Sequence, residues 1–415
     1  MDSFSFELNP QETLVVAEFY FPELIGSAPY CTEAAEWLAA QGAQVDVLTA
    51  RPHYPTAAEF SEYQQGQHDQ EIVSKCRIRR VPVREPNGSG TSARILREFF
   101  FLFGGLNLLF KRQVPRRHHV LVFCPSMLSL LLGKVATKRG GRIVGVVHDI
   151  QSGLASGLGM GSSALVRGMR FAERMLLNRC DAIIVLSNAM RNELCNIGVT
   201  PPIHVLPIWA DTDRIKPMSS IDDEAPTVLY SGNFGRKQGL DQVLSMAPIL
   251  RAKVPDVRIV LRGDGSERVR LEEVAREHEL DYVYFEPLAA REKFAASLSI
   301  GDVHLVPQEP SGSDFAVPSK VYSILAAGRP LVCTADPGSS LSDLARETLA
   351  FECVPPGNPA VFGESVSGLL RDKKRCEEMG RRGRQWVEEN ASQDVVPVSY
   401  THLRAHETSS MISYA

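Results

Sequence analysis

No Cys-x-x-Cys pair occurs among the eight cysteines at positions 31, 76, 124, 180, 195, 333, 353 and 376, and none has metal-ligand spacing. That argues against a disulfide framework and a structural zinc site. The thiols read as small, reduced apolar residues, with Cys124 and Cys333 inside strands. An excess of positive charge is lacking too. The 45 Lys and Arg against 49 Asp and Glu leave a net charge of -4, so nucleic acid is not an expected partner and any anion site must be local. The first ten residues carry Asp2 and Glu7 in place of a basic region and apolar run, which predicts no secretory leader and a cytoplasmic location. The longest apolar stretch, Ile95 to Phe110, is broken by Arg97 and Glu98 and falls short of the roughly 20 residues that span a bilayer.

What is present is an alternation. Short β-branched runs recur between longer helical patterns: Thr13–Ala17, Val45–Leu48, Ile78–Val83, Val120–Phe123, Ile143–Val147 and Ile183–Leu186, then Val228–Tyr230, Val257–Leu261, Val283–Phe285, Val303–Val306 and Leu331–Cys333. Apolar residues at successive positions suit strands covered on both faces, so the pattern predicts an α/β protein with parallel sheets. Pro201, Pro202, Pro207 and Pro217 surround Trp209–Asp213 and mark a hinge. The expected organisation is two Rossmann-like domains, 1–210 and 211–395, facing each other across a cleft where ligands bind. Cys376–Glu389 reads as a charged helix. The segment 396–415 continues no pattern and resembles translated adapter read-through, so it is expected to be non-native, with the true carboxyl terminus missing.

The strongest local signal is Leu229–Leu240, LYSGNFGRKQGL. A strand ends at Tyr230, Gly232 and Gly235 allow close backbone approach, a helix is expected from about Leu240, and Arg236 and Lys237 add charge. This suits a diphosphate, as it also suits an ordinary strand-to-helix turn. Gly263 and Gly265 form a second turn after Val257–Leu261. The third candidate is Ser313–Lys320, where Pro318 stands near the first turn of a short helix, the N–H groups near Val317 to Ser319 can hold a phosphate, Asp314 can meet sugar hydroxyls, and Lys320 is either a donor contact or a surface charge.

In the first half, Glu23, Gly26 and Ser27 lie in the loop after the first strand, and His148 and Asp149 follow Ile143–Val147. A histidine beside an aspartate can polarise a hydroxyl, or simply satisfy a backbone carbonyl. Asp211-Thr212-Asp213 looks like a metal-binding DxD but lies in the hinge and reads as linker. His118-His119 has no further ligands at metal spacing. The segment 94–112 is aromatic with basic ends. One face can pack into the domain core while another rests on an anionic bilayer.

In this order, these residues resemble the family-4 glycosyltransferases of GT-B fold, most closely the colanic-acid type of exopolysaccharide synthesis. The resemblance runs from about Thr13 to Ala391 through YSGNFGRKQGL (230–240), GDVHLV (301–306), VPSK (317–320), ILAAGRP (324–330), YFPELIGSAP (20–29) and PIWADTDRIKP (207–217). It implies a retaining hexosyl transfer without metal or other cofactor, the second domain holding a nucleotide-diphosphate sugar and the first a lipid-linked oligosaccharide. The leaving phosphate would help deprotonate the acceptor, leaving His148 a polar contact.

Two departures matter. The broad family's paired glutamates correspond to Phe315 and Ser323, so Asp314 is expected to replace the first and Ser323 to make a weaker ribose contact. Its arginine and lysine at the phosphate turn correspond to Asn233 and Gln238, so Arg236 and Lys237 are expected to substitute. Two other readings stand beside this one: a nucleotide-sugar 2-epimerase of the same architecture, and a non-catalytic sugar-nucleotide binder.

Overall fold

The computed structural model describes residues 5–7, 12–23, 26–53, 57–83, 91–124, 126–153, 163–218, 225–290, 293–309, 318–393, 395–396 and 402–404. Two compact units emerge, the main chain passing from one to the other at Leu206 and Pro207.

The first unit is built on an eight-stranded sheet. Glu12–Val16 lies at its centre, paired in parallel with Gln44–Ala50 on one side and Arg117–Cys124 on the other. Thr137–Val147, Ala182–Val185 and Ile203–Val205 extend it in parallel, and Cys76–Val81 extends it on the opposite side. Leu14, Val15, Val16, Leu121 and Val122 are almost wholly buried, as continuous apolar runs require when helices cover both faces. The edge strand Gln70–Val73 is antiparallel, so the sheet is not purely parallel; its polar alternation concealed it among the apolar runs. A short antiparallel pair joins Ser5–Glu7 to His402–Arg404, so part of the segment set aside as non-native takes part in pairing.

The second unit holds six parallel strands. Thr227–Ser231 is flanked by Arg258–Arg262 and Val303–Val306, with Val283–Glu286, Leu331–Thr334 and Glu352–Val354 outward of these. The helices Asp241–Lys253 and Pro359–Arg371 pack together beside it. The last helix, Lys373–Asn390, closes back on the start of this unit: Ala210 N donates to Ala391 O at 2.8 Å, and Arg384 donates to the carbonyls of Ile215 and Thr212. Every apolar run named from the sequence is a strand here, with ends unmoved or moved by at most six residues.

Candidate active site

Three loops leave the carboxyl ends of neighbouring strands in the second unit and meet. The first, Gly232–Gly239, contains a 3-10 turn at Arg236–Gln238, and Gly239 adopts φ 58°. The second is Gly263–Gly265. The two are hydrogen-bonded, Gly232 N to Arg262 O at 2.9 Å and Phe234 N to Asp264 O at 2.8 Å. Their approach demands glycine. A Cβ on Gly263, at φ 155°, would lie 1.8 Å from Gly232 O, and one on Gly265 would lie 2.5 Å from Asn233 Oδ1. The third loop follows Val303–Val306, and Glu309 N donates to Lys237 O at 3.1 Å. Phe234 anchors the junction from below, buried and edge-on to Tyr230 and Phe285.

Lys320 opens the helix Lys320–Ala326 and is half-buried. Its Nζ lies 3.9 Å from the centroid of the buried Tyr230 ring, and 2.7 Å from where a Cβ would stand on Gly232. Tyr230 Oη donates to Asn233 O at 2.6 Å. Burial pulls the Lys320 ammonium down to about 7, because desolvation disfavours the charged form and no carboxylate among the described residues pairs with it. Arg236 and Lys237 are exposed. Asn233 is exposed, and Gln238 is half-buried with its Oε1 unpaired among the described residues.

The helix expected from about Leu240 begins at Asp241, and its carboxylate occupies the first turn, ion-paired to Arg270 at 2.7 Å. The amides of Gln242 and Val243 are donated to Gly239 and Leu240. The expected row of free amides is therefore partly consumed, because the 3-10 turn delays the helix. Pro318, Ser319 and Ser323 are half-buried around the helix carrying Lys320. Asp314, Phe315 and Val317 lie outside the described residues.

A feature invisible in the sequence reading adjoins the second turn. A cavity of about 410 Å³ is lined by Arg262, Glu286, Pro287, Leu288, Ala289 and Lys293, among others. Arg262 holds Glu286 at 2.7 Å and donates to Ser297 O. Its signal was the Pro-Leu-Ala-Ala stretch after a strand, too ordinary to mark a site.

In the first unit, His148 is buried with its ring 6.0 Å from Tyr30 and 5.8 Å from Phe123. Burial lowers it to about 4, so it is a neutral imidazole near neutral pH and Asp149, half-buried, is its neighbour. Tyr30 lies in the helix Ala28–Ala40, which begins directly after Gly26 and Ser27. The two loops named from the sequence are thus brought together. Glu23 is not open: it is buried, and its Oε1 accepts the His53 amide at 2.9 Å. Glu173, missed earlier, is buried and accepts from Ser152 N at 3.0 Å and from Ser152 Oγ, anchoring the loop that carries His148. A second cavity of about 200 Å³ lies at the amino ends of the strands, where Arg77 and Arg117 clasp Asp46. It is remote in the fold from the loops of Glu23 and His148.

In the hinge segment, Asp211 Oδ1 accepts from Arg214 N at 2.8 Å, a turn contact. Among the described residues no cluster of three or more His, Cys, Asp or Glu suits a metal ion.

Paired Rossmann-like sheets with glycine turns at the strand ends define the GT-B architecture of glycosyltransferases, and the comparisons agree. Residues 26–209 match the glycosyl transferase 4-like domain and residues 211–386 the glycosyl transferases group 1 domain. The chain belongs to this glycosyltransferase family. It is 31% identical to the putative colanic acid biosynthesis glycosyl transferase WcaI of Escherichia coli K12, over 86% of this chain and 90% of that one. Among solved structures, sucrose-phosphate synthase from Thermosynechococcus elongatus superposes with a TM-score of 0.75 at 18% identity, covering 94% of this chain and 97% of that one. Anabaena HepE in complex with UDP gives 0.68 at 13%, covering 94% and 98%.

Proposed function

We propose that this glycosyltransferase moves a hexose-type sugar, with retention of configuration and without a metal ion, from a nucleotide-diphosphate sugar to a lipid-linked glycan in surface polysaccharide synthesis. The observation that carries the donor half is the closure of two glycine turns on each other beneath Lys320. Backbone approach without side-chain obstruction, with a cation beside it, is what a diphosphate needs. The nucleoside takes the neighbouring cavity, whose Pro287, Leu288 and Ala289 offer an apolar wall for a planar base. Arg236 and Lys237, exposed on the turn, add charge toward the leaving group. The HepE complex with UDP supports this reading by fold likeness, and the WcaI relative supports a polysaccharide acceptor.

In the proposed step the acceptor oxygen bonds to the anomeric carbon as the bond from that carbon to the phosphate oxygen breaks. The hydroxyl proton passes to the departing phosphate, and nucleoside diphosphate leaves. Neutral His148, with Asp149, is the polar group that the first unit offers to the acceptor, which it receives near Gly26 and Ser27. Asp314 meets sugar hydroxyls and Ser323 the ribose. The exposed aromatic face of the helix Thr91–Phe110 brings the enzyme to the anionic cytoplasmic face of the inner membrane, where a lipid-linked acceptor resides.

The test is a panel of nucleotide sugars incubated with the protein, with and without lipid-linked acceptor, in the presence of EDTA. Transfer only with acceptor, unaffected by EDTA and retaining the donor's anomeric configuration by NMR, is the expected result. Interconversion of donor alone would establish the epimerase reading instead, and binding without turnover the non-catalytic one.

A further inference from the structure

We infer that Lys320, carried on the ring of Tyr230, is the fixed cation that meets a nucleoside diphosphate at the Gly232 turn, and that Tyr230 is the residue positioning it. This rests on the donor-site reading above and decides which cation does the work. Arg236 and Lys237 stand exposed, so ordering either long side chain around a ligand costs rotamer entropy at the moment of binding. Lys320 is half-buried and rests on a ring.

Its ammonium sits 3.9 Å above the Tyr230 ring centroid, on the π face that attracts a cation. It also lies over the one place on the turn where a side chain is missing, 2.7 Å from the Cβ that Gly232 lacks. The same tyrosine ties the turn itself, its hydroxyl donating to Asn233 O at 2.6 Å. One buried side chain therefore sets both the phosphate turn and the charge above it. An ammonium removed from water with no carboxylate partner among the described residues is poised to accept an anion, and its lowered affinity for a proton, to about 7, is the signature of that state. Asn233 and Gln238, neutral side chains on the turn, leave room for a cation supplied from a different loop.

Isothermal titration of the full chain with UDP, GDP and ADP tests the inference, with thermal melting as a control for folding. Lys320→Ala should weaken diphosphate binding by roughly tenfold to a hundredfold, the range for a lost hydrogen bond to a charged group, while Lys320→Arg restores part of it. Tyr230→Leu should weaken binding by up to about tenfold, and Tyr230→Phe, which keeps the ring, should do so less. The decisive comparison is the double variant. In the Lys320→Ala background, Tyr230→Leu should cost clearly less than in the native protein, and no more than Tyr230→Phe costs there, because the ring acts through the ammonium and only the hydroxyl's tie to the turn remains to be lost. If Tyr230→Leu does not fold, Tyr230→Met makes the same comparison. Unchanged affinity in Lys320→Ala, or an equal loss from the tyrosine change in both backgrounds, overturns the proposal while leaving the donor site standing. A native protein that binds none of the three diphosphates overturns both.

Discussion

Lys320 is a residue whose charge depends on what approaches it. Without ligand, burial holds its ammonium at about 7 against an ordinary 10.5, so it is mostly protonated below that pH and mostly neutral above. A bound diphosphate favours the cation and raises the value, so binding takes up a proton wherever the free form is neutral. The contribution of Lys320 to diphosphate affinity should therefore be full below about pH 7 and fall as pH rises, by up to tenfold per unit, until the bound-state value is passed. Titration calorimetry from about pH 6 to 9 measures this, and Lys320→Arg should flatten the curve, since arginine stays charged throughout. Glycine spacing made Gly232, Gly263 and Gly265 readable as a turn set. That Tyr230 would lie beneath Lys320 was not readable, because 90 positions separate them and only the sheet brings their loops together.

At the scale of elements, the helix Thr91–Phe110 shows how one sequence stretch serves two faces. Phe101, Leu102 and Leu109 are buried, and Gly104 and Gly105 let the helix settle against Val81 and Leu132. Leu96, Phe99, Phe100, Phe103 and Phe110 recur at helical spacing on the other side and are exposed, Phe103 by 64% and Phe110 by 72%. The helix Ser163–Leu177, which packs on the same neighbouring helix Ser129–Ala136, adds exposed Leu165, Phe171 and Met175, with Arg174 over the Phe171 ring. Replacing Phe103 and Phe110 together by serine should leave the melting temperature nearly unchanged, since neither is in the core, and should reduce sedimentation with anionic vesicles at low salt. Retained vesicle binding would remove this face from the membrane role. Aromatic runs with basic ends were visible in the sequence; which rings face outward followed only from where the helix meets the sheet. The three-residue strands Ile203–Val205 and Glu352–Val354 escaped notice for a related reason. They are too short for any period to register, and their place is dictated by the neighbour they pair with.

For the whole molecule, each unit conceals a histidine that acid must disrupt. His148 in the first and His304 in the second are both buried and both lowered to about 4. His304 Nε2 lies 2.9 Å from Leu298 O. Between the ordinary value of 6.5 and about 4, the unfolded chain binds more protons than the folded one, so stability falls as pH falls through that window. Each histidine can contribute up to about 3 kcal/mol to the loss. Melting measured from about pH 7 down to 4.5 should show this decline, and His148→Asn with His304→Asn should make it shallower. A slope unchanged in the double variant would assign acid sensitivity to other groups, among them His53, buried in the first unit and likewise lowered to about 4.

The amino-acid order alone determined the α/β class, the two series of strands, the glycine turns and the family resemblance, because these depend on local periodicity and on short motifs that carry their own conformational demands. Tertiary structure alone decided that Lys320 lies over Tyr230, that Glu23 is occupied by the His53 amide, that Glu173 braces the loop of His148, and that a cavity adjoins Gly263. Those facts arise from contacts between residues far apart in the chain, and the energy of such a contact depends on burial and approach that no local spacing records.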